Sequence, residues 1–125
     1  MIAKRPTKTF LIASVVVAFI AIILVSLHKY ALDSPYRISS TEAKKRIAEK
    51  KIDIILDART DWELTTFGAY PGSLHIQNGD INTKQLPDKK ARVLVFCNIG
   101  HTARVVADKL HTMGYKNTAY TCWQV

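Results

Sequence analysis

The chain has 125 residues, 48% of them hydrophobic, and a formal net charge of +8 at pH 7. Residues 33–125 hold 14 of the 18 basic residues and all ten acidic ones, a balance of only +4, and no basic stripe with interleaved aromatics marks a nucleic-acid surface. Two cysteines, Cys97 and Cys122, are too few for a disulfide scaffold, and no Cys/His spacing reads as a metal site, so neither metal nor cofactor is expected.

Residues 1–9 form a basic tail with Lys4, Arg5 and Lys8. From Phe10 to Leu27 there are eighteen residues without charge, Gly or Pro. As a helix this run covers about 27 Å at about 1.5 Å per residue, close to the roughly 30 Å hydrocarbon core of a bilayer. It has no polar face, which argues against a buried helix of a soluble domain. The sequence therefore predicts a membrane-spanning helix over 10–28. The alternative is a cleaved signal peptide, but the run exceeds an h-region of about 7–15 residues, and the flank His28 to Asp33 lacks a small-x-small cleavage site. The basic residues before the span place the N-terminus in the cytoplasm and the rest outside it, for example in a periplasm.

Residues 29–36 read as a linker, and residues 37–125 as one domain. Arg37 to Ser39 is a short candidate strand. Ser39-x-x-Glu42 is a capping-box pattern opening a helix to about Lys50. Ile52 to Leu56 is an Ile-rich buried strand. Asp61 to about Phe67 reads as a short helix, Tyr70 to Ser73 as a turn, Leu74 to Ile76 as a short strand and Asn78-Gly79-Asp80 as a second turn. One helical turn is expected over Asn82 to Leu86, stopped by Pro87. Arg92 to Phe96 is the strongest strand. In Thr102 to Met113, Ala103, Val106, Ala107 and Leu110 follow helical periodicity, with Gly114 ending the helix. Asn117 to Tyr120 is the last strand. This alternation predicts an α/β fold: a parallel sheet with helices on both faces, preceded by one transmembrane helix. Ligands in such sheets bind at the carboxyl ends of the strands, where Cys97 lies.

The segment Cys97-Asn98-Ile99-Gly100-His101-Thr102 carries the chemistry. Gly100 lets the loop reach positive φ, so that successive N–H groups converge as an anion nest. A sulfur there is expected to ionise below the ordinary thiol value of about 8.5. Thr102 is expected to cap the following helix and offer its hydroxyl to substrate, and His101 adds a donor. Cys122 follows the last strand and opens toward the same side, which makes it a candidate resolving thiol. Arg104 reads as part of a solvated helix face.

The loop resembles that of the rhodanese-like sulfurtransferases, Cys-x-x-Gly-x-Arg/Thr, through Cys97, Gly100 and Thr102. Asp57-Ala58-Arg59, Trp62-Glu63 and Gly68-Ala69-Tyr70-Pro71-Gly72-Ser73 follow the family's upstream motifs in order, with Ala69 where the family has His, and the tail Leu110 to Tyr115 followed by a strand also fits. The resemblance covers about 35–121. Where the family carries Gly-Gly and a closing helix, this sequence has Cys122 to Val125, so the C-terminal helix is expected to be absent. The resemblance implies that Cys97 takes sulfane sulfur from thiosulfate or a persulfide and passes it to a thiol or cyanide acceptor. Asn98, Ile99, Gly100, His101, Thr102 and Arg59 are then the candidate substrate-binding residues, although Asp57 and Arg59 also read as a structural ion pair. The partners implied are a small sulfur donor and a thiol acceptor, with room for a protein partner. Two other readings stand beside this one. A non-catalytic interaction module on a membrane stalk fits the missing closing helix. A phosphatase or arsenate reductase needs Cys-x5-Arg, and here Ala103 holds that position while Arg104 follows it.

Overall fold

In the computed structural model, which describes residues 5, 7–76 and 80–123, the chain opens with helix α1, Lys8–Leu32. Thr7 caps it, its hydroxyl accepting from the Phe10 N–H at 3.1 Å. Ser14 and Ser26 donate their hydroxyls to the carbonyls of Phe10 and Ile22, so neither is left unsatisfied among apolar neighbours. Its most apolar stretch is wholly unburied, so that surface has no partner among the described residues. The helix runs through Leu32, which corrects the linker reading of 29–36. Residues 29–32 continue the helix because Ala31 is buried against the domain and Asp33 donates back to the Lys29 carbonyl. Pro35 then disfavours helical geometry at Ser34.

Helix α2, Ser40–Ala48, starts at the predicted cap: the Ser39 hydroxyl accepts from Glu42 at 3.0 Å. Before it, Arg37 makes only an isolated parallel bridge to Tyr120 rather than a strand. Next come β1 (Ile54–Asp57), α3 (Asp61–Phe67), β2 (Leu74–His75), a single 3-10 turn (Thr83–Gln85), β3 (Val93–Cys97), α4 (His101–Thr112) and β4 (Thr118–Cys122). The expected turn at Asn78-Gly79-Asp80 falls largely outside the described residues.

The four strands form one parallel sheet in the order β2-β1-β3-β4. All five residues of β3 are buried, as a central strand covered on both faces requires. Side chains alternate along each strand. On one face Leu56, Val93, Val95, Cys97 and Tyr120 pack under α4 through Ala103, Val106, Ala107 and Leu110. On the other, Leu94, Phe96 and Trp123 pack with Ala43 of α2. Full burial of Val106 and Leu110 is worth about 1.5–3 kcal/mol for each side chain, which fixes α4 over β3. This sheet flanked by helices is the architecture the alternation predicts.

Candidate active site

Strand β3 ends at Cys97 and α4 begins at His101, so three residues turn the chain through the loop. Gly100 makes the turn possible: it takes φ +84° and stands as the N-cap of α4. Its N–H points back at Cys97 Sγ at 3.0 Å, and the Ala103 N–H reaches the same sulfur at 3.3 Å. Two main-chain donors in the first turn of a helix therefore converge on one thiol.

Burial works against them. Cys97 is 4% exposed, and its thiol pKa lies above the ordinary value because desolvation outweighs the amides of Ala103, Gly100 and Ile99. This corrects the expected downward shift. The sulfur belongs to the core under α4, a tertiary fact that the loop's sequence does not carry.

The other loop residues divide sharply. Asn98 hydrogen-bonds the Glu63 carboxylate, tying the loop to α3. Glu63 also closes a capping box with Thr60. Ile99 is 70% exposed and forms the outer tip. His101 lies against the Tyr30 ring, with centroids 5.1 Å apart. Thr102 sits inside the first turn of α4 with an exposed side chain. The expected Thr102 cap is corrected: Gly100's left-handed turn starts the helix earlier and takes that position.

Arg59 is not brought to the sulfur. Its guanidinium pairs with Asp57 at 2.7 Å and donates to the Gly68 carbonyl. It lies 5.4 Å from the centroid of the Phe96 ring, and Phe96 faces α2 while Cys97 faces α4. The structural ion pair is therefore the reading the geometry favours.

Cys122 is brought in. It is the register partner of Cys97 on the neighbouring strand, and the Trp123 N–H bonds to the Cys97 carbonyl at 2.9 Å. A Cβ on Gly100 would fall 2.3 Å from Cys122 Sγ, so only glycine fits between.

One neighbour went unread in the sequence: the end of α1. Ala31 packs beside Gly100, and its carbonyl accepts from the Tyr120 hydroxyl at 2.5 Å. Arg104, read as a solvated helix face, instead donates to the carbonyls of Tyr30 and Asp33 and stacks on the Tyr30 ring. Nothing in periodicity or spacing signals this contact across more than 70 positions. A groove of about 570 Å³ runs along α4 between Tyr30 and Met113, but Cys97 is not among its lining residues. Among the described residues no group of His, Cys, Asp or Glu is placed to hold a metal.

A family model for the rhodanese-like domain matches residues 39–121. No curated protein matches the chain. Solved structures share the fold, three of them as follows. One, from Rhodopseudomonas palustris CGA009, is of unknown function and described as a possible tyrosine phosphatase; it has a TM-score of 0.63 and 20% identity over 78% of this chain and 82% of its own. The human single-domain sulfurtransferase TSTD1 has a TM-score of 0.58 and 16% identity over 71% and 90%. SseA of Escherichia coli, a 3-mercaptopyruvate sulfotransferase, has a TM-score of 0.50 and 22% identity over 74% of this chain and 43% of its own.

Proposed function

The chain belongs to the rhodanese-like domain family, and from that membership we propose that it is a membrane-anchored sulfurtransferase working through a persulfide on Cys97. In the first step the Cys97 thiolate attacks the outer sulfur of a donor such as thiosulfate. The donor's S–S bond breaks and sulfite leaves. In the second step a thiolate or cyanide attacks the outer sulfur of the persulfide, and Cys97 leaves as thiolate. This is covalent, ping-pong catalysis.

The observation that carries the reading is the convergence of the Gly100 and Ala103 amides on Cys97 Sγ. Main-chain donors aimed at a sulfur stabilise the anion that each step creates there. Burial of the thiol opposes these donors and holds its pKa up. The anchor in this reading is the apolar stretch 10–28 within α1, with the N-terminus cytoplasmic and residues 37–125 on the periplasmic side. Resistance of the chain to alkaline extraction from membranes tests the anchor.

Phosphate chemistry is disfavoured by Arg104. It stands one residue beyond the position such loops need, and its guanidinium is committed to Tyr30 and Asp33 rather than to the loop. A non-catalytic module has one observation in its favour, the burial of Cys97. Thiocyanate formation from thiosulfate and cyanide separates the readings. Sulfur transfer requires release by the full chain in detergent and only background from Cys97→Ser. Equal background from both, with both folded, supports the module.

A further inference from the structure

Two free thiols flank one glycine. Gly100 donates its N–H to Cys97 Sγ at 3.0 Å, and the space where its Cβ would stand is taken by Cys122 Sγ. Cys97 and Cys122 are register partners on adjacent parallel strands, so their side chains leave the same face of the sheet. The usual strand spacing of about 4.8 Å lies inside the Cα separation of about 4.4–6.8 Å that a disulfide spans. Each is the last residue of its strand, where a small backbone adjustment disturbs few ladder bonds. The sulfurs are near enough that charge on Cys122 contributes to holding the Cys97 thiol up. Cys122 is half-buried.

We infer that Cys122 is a second reactive sulfur of this site, which resolves the Cys97 persulfide into an internal disulfide and expels sulfide. The inference rests on the sulfur-transfer reading. The Cys122 sulfur attacks Cys97 Sγ, the inner sulfur of the persulfide, from the strand side. A Cys97–Cys122 bond forms and the bond to the sulfane sulfur breaks. That sulfur keeps the electron pair, takes the proton given up by Cys122 and leaves as HS⁻. The sulfane sulfur is reduced and the two cysteines are oxidised, so no outside oxidant is needed. A dithiol or a pair of thiols then reduces the disulfide and resets the site. The chain thereby gains an activity beyond transfer, reduction of sulfane sulfur to sulfide.

The test uses the reduced full chain in detergent, freed of small thiols and treated in parallel with thiosulfate and with inorganic polysulfide. Samples are quenched by alkylation and mapped without reduction. Wild type is expected to lose both alkylatable thiols, yield a Cys97–Cys122 peptide and, with thiosulfate, release sulfide equimolar with the chain. Cys122→Ser is expected to keep a mass gain of about 32 Da on Cys97, one sulfur atom, and to release sulfide only when thiol is added. A wild type that holds a stable persulfide with Cys122 fully alkylated overturns the inference and leaves sulfur transfer standing. Absence of the added mass in Cys122→Ser and in Cys122→Ala with both donors, both variants folded, overturns the transfer reading and this inference together.

Discussion

Arg104 holds Tyr30. Its guanidinium carbon lies 3.8 Å from the Tyr30 ring centroid, and it donates to the Tyr30 and Asp33 carbonyls. The end of α1 is thereby clamped to the start of α4, next to the Cys97 loop. Arg104→Ala removes a cation–π contact and charge-assisted hydrogen bonds, together worth about 1–2 kcal/mol at a part-buried site. Calorimetry of the full chain in detergent should show Tm lowered by roughly 4–8 °C per kcal/mol. Limited proteolysis should cut faster between Ala31 and Arg37.

The elevated Cys97 pKa has a sign that can be checked. A thiol whose pKa is raised stays protonated to higher pH, so the rate of its alkylation by iodoacetamide should climb about tenfold per pH unit from neutrality past the ordinary value of about 8.5, without levelling there. The folded state then binds its proton more tightly than the unfolded chain. Stability from this group is intact below the unfolded pKa of about 8.5 and falls as pH rises toward the folded value. Cys97→Ala should remove that alkaline decline, measured as urea midpoints across the same range.

Gly100→Ala combines two costs. The backbone penalty at φ +84° is about 1–2 kcal/mol, and the clash with Cys122 Sγ adds about 1–3 kcal/mol of overpacking. Cys122→Ala in the Gly100→Ala background should recover the second part and leave the first. Denaturant unfolding of the two single variants and the double closes the cycle; simple additivity would show that the sulfur does not press on Gly100.

Asp57 and Arg59 have side chains without solvent exposure and meet at 2.7 Å. Asp57→Asn leaves a buried guanidinium without its charge partner and should cost about 3–5 kcal/mol in urea unfolding. In variants that stay folded, thiocyanate formation should change little, because the pair braces the turn into α3 rather than the loop.

What could be read from the chain alone was what periodicity and local caps encode. Ala103, Val106, Ala107 and Leu110 show the α4 stripe as plainly in sequence as in the core they fill, and Ser39 to Glu42 marks the start of α2. The loop was legible because Gly100 between a strand and a helix has few other uses. Three features were not legible, all of them tertiary. Arg59 follows Asp57 onto the α2 face, a matter of strand parity that motif spacing hides. The Cys97 pKa depends on the roof that α4 lays over it. The docking of Ala31 and Tyr30 joins segments with no shared pattern. The last strand reaches Cys122, two residues past its predicted end, because pairing with β3 up to Cys97 holds it extended.

Ala31, which touches the Gly100 corner of the loop, stands four residues after Leu27, where the uncharged stretch ends. Four residues of helix rise about 6 Å, comparable to the headgroup layer of about 5–7 Å that edges each side of a bilayer's hydrocarbon. On the anchored reading, this contact sets an altitude: the Cys97 sulfur rides at the level of the lipid headgroups instead of drifting on a flexible leash. One extra helical turn ahead of Tyr30 would lift it by about 5.4 Å, so on that reading the length of a helix becomes the ruler for how far the Cys97 loop stands from the lipid.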